Sequence, residues 1–129
     1  MEKSSISAKV LYAELGYQLQ GIFYEVYNVF GPGFREETYR QAVIRELKRH
    51  AIPFETERYY DIGFKGESID RYRANLVIDD KVIIELKAVV EMPPHFEAYL
   101  LSYLRASKLR LGYRVNFGAS KLQIVRRVL

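Results

Sequence analysis

Glu85 and Lys87 stand two residues apart inside an otherwise apolar run, Val82-Ile83-Ile84-Glu85-Leu86-Lys87-Ala88-Val89-Val90. On a strand, residues two apart share a face, so a carboxylate and an ammonium would sit side by side with restricted access to water. Charges in such a place are unfavourable unless they are paired or used. Upstream, Arg71, Arg73 and Asn75 alternate with Tyr72, Ala74 and Leu76, which draws a second strand over 71–78 with its polar residues on one face. The two runs flank Asp79-Asp80, a turn signal, so they form a hairpin.

Turn length decides which side chains meet. A two-residue turn at Asp79-Asp80 would put Asn75 and Glu85 on opposite faces, whereas a three-residue turn, Asp79 to Lys81, sets Asn75 directly across from Glu85. In that register Val77, Ile83, Asn75, Glu85, Lys87, Arg73 and Arg71 share one face. The reverse face is apolar apart from the Tyr72 hydroxyl and must lie against helices. On spacing alone the cluster reads first as a charge pair, Glu85 with Lys87 or with an arginine, that satisfies itself at the rim of a sheet, and second as an active site.

The remaining segments supply the scaffold. Leu11, Leu15, Leu19, Ile22, Val26 and Val29 recur every three to four residues, predicting a helix from Ser7, a plausible N-cap, to about Phe30. Gly31-Pro32-Gly33 stops it and lacks the lysine of a phosphate loop. A second helix is expected over 35–50, with Glu36 and Glu37 in its first turn, where the helix dipole favours anions, and His50 at its C-terminus. An extended segment follows over 54–64, then a turn at Lys65-Gly66-Glu67-Ser68. A third helix is expected over 94–107, followed by short strands at 111–117 and from Leu122 onward. The expected order is α-α-β-β-β-α-β-β.

Composition narrows the chemistry. The 129 residues suit one domain and include no cysteine, which removes disulfides, Cys-ligated zinc, iron–sulfur clusters and thiol catalysis. Two histidines, His50 and His95, make no multi-histidine metal site; His95, at a helix start and without a partner, defines no proton relay and is read as a surface or capping residue. No signal peptide, membrane span or dinucleotide cofactor is expected, and a cytoplasmic location follows from the same reading. The net charge of +4 and a pI near 9.3 permit a polyanionic partner. Eleven tyrosines against no tryptophan offer half-polar aromatic surface, and Tyr99, Tyr103 and Arg105 could line a nucleic-acid groove or simply pack along a helix.

Several of these residues carry a resemblance. Gly33, Glu36 and Tyr39 resemble the signature of the GxxExxY protein family, and Tyr72-Arg73-Ala74-Asn75-Leu76-Val77, Ile84-Glu85-Leu86-Lys87-Ala88, Tyr103-Leu104 and Asn116-Phe117-Gly118 follow in that family's order. The family is similar to the PD-(D/E)xK nucleases, which implies a restriction-endonuclease-like α/β core, a mixed sheet flanked by helices. The resemblance implies that Glu85 and Lys87 form the ExK element, the carboxylate holding Mg²⁺ and the ammonium orienting the attacking water. It further implies that Glu36 completes the metal site and that Arg71 and Arg73 neutralise the nucleic-acid backbone. Two positions depart from the pattern: Asn75 stands where an aspartate is expected, and Tyr99 where a glutamine is usual. The implied function is Mg²⁺-dependent hydrolysis of DNA or RNA, with Glu36, Asn75 and Glu85 as ligands. The alternatives are a weakened relative that binds nucleic acid and a protein-interaction module. Oligomeric state and substrate preference are left open.

Overall fold

A computed structural model describes residues 11–129. Its elements are α1 (Ala13–Phe30), α2 (Glu36–Arg49), β1 (Phe54–Phe64), β2 (Glu67–Ile78), β3 (Val82–Lys87), α3 (Phe96–Ser107), β4 (Leu111–Asn116) and β5 (Gln123–Val128). The order matches the sequence expectation, but α1 begins at Ala13, with Leu11 and Tyr12 in a turn, rather than near Ser7, which lies outside the described residues. Three other boundaries shift by two residues or more. The tight turn contracts to Lys65-Gly66, so β2 begins at Glu67; β3 ends at Lys87; and α3 starts at Phe96, after Pro93 and Pro94.

The five strands form one mixed sheet in the order β1-β2-β3-β4-β5. All pairs are antiparallel except β3–β4, which α3 joins as a parallel crossover. Neighbouring glycine and tyrosine residues reveal the layers. A Cβ built on Gly112 would meet Leu100 and Leu104 of α3, while the adjacent Tyr113 hydroxyl reaches Gly16 of α1. Successive strand residues point to opposite faces, so α1 and α3 cover opposite sides of the sheet.

The larger core lies on the α1/α2 side, where Leu19, Phe23, Val43 and Leu47 pack against Leu76, Ile84, Leu86 and Val115. Because Leu86 belongs to that core, Glu85 and Lys87 fall on the α3 side. So do Gly112, Arg114 and Asn116 of β4.

The hairpin turn has the three-residue form. Val77 pairs with Ile83 and Ile78 with Val82, while Asp79 and Asp80 adopt positive φ and the Lys81 N–H donates to Ile78 O at 2.9 Å. The β2–β3 ladder stops at Leu76–Ile84. On the other side of β2, Glu57, between the pairs Thr56–Leu76 and Arg58–Ala74, has φ 54, a local departure from extended backbone. Both irregularities fall beside Asn75, whose backbone N–H meets Glu85.

Candidate active site

Glu85 lies one residue past the last β2–β3 ladder pair. Its Oε2 accepts the backbone N–H of Asn75 at 3.3 Å and also the Tyr72 hydroxyl. The Asn75 amide oxygen, Oδ1, is buried and has no hydrogen-bond donor. Tyr72 in turn stacks on Tyr103 of α3, with centroids 4.3 Å apart, and more distantly on Tyr60 of β1 at 6.3 Å. The expectation that the Tyr72 hydroxyl would lie on the reverse, apolar face is therefore corrected. Strict alternation holds only while the ladder is regular, and it is interrupted between Tyr72 and Leu76.

Arg114 is a site residue that the sequence reading missed. It stands directly beside Glu85 in the parallel β3–β4 ladder and is 5% exposed. Its guanidinium lies 3.2 Å from the centroid of Phe96, and its Nε and Nη1 have no hydrogen-bond acceptor. A signal was present: an arginine in the apolar run Leu111-Gly112-Tyr113-Arg114-Val115 breaks its pattern as Glu85 breaks that of β3.

Electrostatics at this position are set first by burial. Burial pushes the Glu85 carboxyl above its ordinary range, opposed by the Tyr72 hydroxyl, the Asn75 N–H, Arg114 and Lys87. It pushes the Tyr72 hydroxyl strongly upward, reinforced by the negative charge of Glu85, so Tyr72 is a donor at every relevant pH. Burial also pulls Arg114 down, resisted by groups that include Tyr103, Glu85 and Glu36. Glu36 thus acts on the same guanidinium as Glu85.

The segment that presents Glu36 is braced by Tyr39. The Tyr39 hydroxyl donates to Gly31 O at 2.5 Å and accepts the Phe34 N–H at 3.2 Å, and its ring stacks on Phe117 at 4.7 Å. Gly33 has φ 112, a conformation that a side chain would disfavour. The spaced Gly33, Glu36 and Tyr39 therefore form one device: a kink, a helix-start carboxylate and the ring that locks them to the end of β4.

Behind Lys87, Asn116 ties the chain together. Its Oδ1 accepts the N–H groups of Val89 and Gly118, and its Nδ2 donates to Val89 O and Gln123 Oε1.

The expectation that Arg71 and Arg73 share the face of Glu85 is corrected: they alternate with Tyr72, which faces Glu85, and lie on the opposite side. Arg73 pairs with Glu57 at 3.3 Å, and the same glutamate also receives Arg40 of α2 at 3.5 Å. Arg71 lies over the exposed Tyr59 ring at 4.2 Å. Tyr99 is 47% exposed on α3. It is Tyr72, between the two arginines, that reaches Glu85.

The sequence signature of the PD-(D/E)XK nuclease superfamily matches residues 13–128, nearly all of the described chain. The chain belongs to this superfamily. No curated protein matches its sequence. Among solved structures it is similar to the crystal structure of SSO0001, with a TM-score of 0.57 and 20% identity over 72% of this chain. The match spans half of that protein's length, and at this identity it speaks for the fold alone. A mixed sheet flanked by helices is the architecture this superfamily requires.

Superfamily nucleases commonly use divalent metal ions. The donor set here fits such an ion in kind: a buried carboxylate and an amide oxygen with no donor of its own are both hard oxygen ligands. The fit in charge is weaker. Among the described residues no three His, Cys, Asp or Glu side chains cluster as a metal site. Nor, among the same residues, is any helix long and apolar enough to cross a membrane.

Proposed function

We propose that this chain is a divalent-cation-dependent phosphodiesterase acting on DNA or RNA in the cytoplasm. Glu85 and Asn75 are its inner ligands, Glu36 is an auxiliary ligand, and Lys87 is the cation that orients water. The observations that carry this reading are a buried, donor-free Asn75 Oδ1 and, on the neighbouring strand, a carboxylate that accepts the Asn75 backbone N–H and the Tyr72 hydroxyl. A buried polar oxygen left unpaired is rare in a folded protein and is relieved by a cation, by water or by a substrate donor.

When bound, Mg²⁺ would stabilise charge on the phosphodiester and acidify a water molecule. The rest is the work of this chain. The Tyr72 hydroxyl and the Asn75 N–H fix the Glu85 carboxylate, so little ordering remains to be done when a ligand arrives. Lys87 shares the Glu85 face and supplies positive charge for holding an attacking water in place. The exposed Tyr99 of α3 provides contact at the periphery, whereas Arg73 is directed to Glu57, which Arg40 of α2 also engages, and Arg71 to Tyr59 on that same face.

The neutral amide at position 75 favours a second reading, binding of nucleic acid with weakened or lost cleavage. One experiment separates the two. Labelled single- and double-stranded DNA and RNA are incubated with Mg²⁺ or Mn²⁺, using wild type, Asn75→Asp and Lys87→Ala. The proposal expects chelator-sensitive cleavage, raised in Asn75→Asp and abolished in Lys87→Ala with the melting temperature unchanged. Inactivity of both wild type and Asn75→Asp overturns it, and salt-dependent retention of the oligonucleotides would then support the second reading.

A further inference from the structure

Arg114 is unusual because it is a buried cation whose Nε and Nη1 donate to nothing. Leaving such donors without an acceptor is unfavourable, and stacking on Phe96 does not satisfy them. The strand on the opposite side of β3 carries the converse defect, the donor-free Asn75 Oδ1. Glu85 thus lies on the strand between unpaired N–H donors on β4 and an unpaired acceptor on β2. A lone divalent ion relieves only the acceptor, and it is repelled by the guanidinium and by Lys87, which both act on Glu85. A phosphate oxyanion changes the balance, because it accepts from a guanidinium in a charge-assisted hydrogen bond and also ligates a divalent cation.

Resting on the phosphodiesterase reading, we propose that Arg114 is a resident cation that makes metal binding at Glu85 and Asn75 conditional on a phosphate group: the metal alone binds weakly, and the metal with a phosphate monoester or diester binds tightly. Arg114 is on this account a positioning residue. Its role is to couple the two ligands, and reciprocity requires each to strengthen the other.

Calorimetric titration of the intact protein with Mn²⁺ at pH 8, with and without saturating thymidine 5′-monophosphate, tests this. Wild type should gain about tenfold or more in Mn²⁺ affinity from the nucleotide. Arg114→Met should bind Mn²⁺ alone about tenfold more tightly than wild type and lose most of the gain, while Arg114→Lys should keep it. Should Arg114→Met fail to fold, Arg114→Gln makes the same comparison. Equal Mn²⁺ affinities in wild type and the neutral variant, or equal gains from the nucleotide, overturn the proposal while leaving the metal reading intact. Absence of Mn²⁺ binding in every protein, Asn75→Asp included, overturns the metal reading itself.

Discussion

The backbone N–H of Asn75 donates to Glu85 Oε2 at 3.3 Å, one residue beyond the last ladder pair of β2 and β3. A main-chain group of one strand therefore holds a side chain of the next just past the end of the ladder. Any substitution at position 75 other than proline keeps this bond, so the side chain there can be varied without releasing Glu85.

Asn75→Asp is accordingly a clean test of charge. Two unit charges about 4 Å apart at an effective dielectric near 20 interact by roughly 4 kcal/mol, before desolvation offsets much of it. The variant should bind Mn²⁺ at least about tenfold more tightly, as read by calorimetry. Unchanged affinity would mean that the amide oxygen is not a ligand.

Glu85→Gln tests the burial of the carboxylate. Burial raises the folded-state pKa, so the folded protein holds the proton more firmly than the unfolded chain and stability falls as pH rises through that raised value. The glutamine variant avoids this penalty. It should melt higher than wild type at pH 8, by an amount on the order of 1 kcal/mol, and equally at about pH 3.5, where both states of wild type are protonated. A variant that melts lower than wild type at pH 8 would show that Arg114 and Lys87 outweigh burial.

Tyr39→Phe removes one hydroxyl that serves both Gly31 and Phe34. The loss should destabilise the fold by about 1–2 kcal/mol in chemical denaturation. Because this loop presents Glu36, any activity should fall with it; a wild-type denaturation midpoint would show that the brace is not needed.

Gly118→Ala and Gly112→Ala should behave differently although both sites are crowded. A Cβ at Gly118 would lie 2.4 Å from Val89 N and 2.5 Å from Ala88 C, backbone atoms that cannot step aside. At Gly112 it would meet the side-chain ends of Leu100 and Leu104 at 2.9 and 3.3 Å. The first substitution should destabilise by about 2 kcal/mol or more and the second by about half as much, as measured by thermal unfolding. Equal losses would contradict this ranking.

Much of the arrangement was legible in the sequence because it depends on parity. The choice between a two- and a three-residue turn at Asp79 settles the register of the hairpin and so which residue of β2 lies next to Glu85, where the contact is made by the Asn75 backbone N–H, and the order of helices and strands follows from apolar spacing and the Gly31-Pro32-Gly33 break. What was not legible depends on departures from regularity. Tyr72 reaches Glu85 because the β2–β3 ladder ends at Leu76 and Glu57 interrupts β1, and neither event leaves a mark in alternation. Arg114 was overlooked for another reason: its neighbour is set by parallel pairing across the α3 crossover, a contact between residues 29 positions apart that no local pattern encodes. The engagement of Arg73 with Glu57 is likewise a product of β1–β2 register rather than of β2 alone.

The most direct test is diffraction from crystals soaked in Mn²⁺ and thymidine 5′-monophosphate, with data collected to reveal anomalous scattering. The account predicts one anomalous peak within about 2.0–2.3 Å of both a Glu85 carboxylate oxygen and Asn75 Oδ1. A fully soaked crystal with no peak there, or with Asn75 Oδ1 bonded instead to a protein donor, would contradict it.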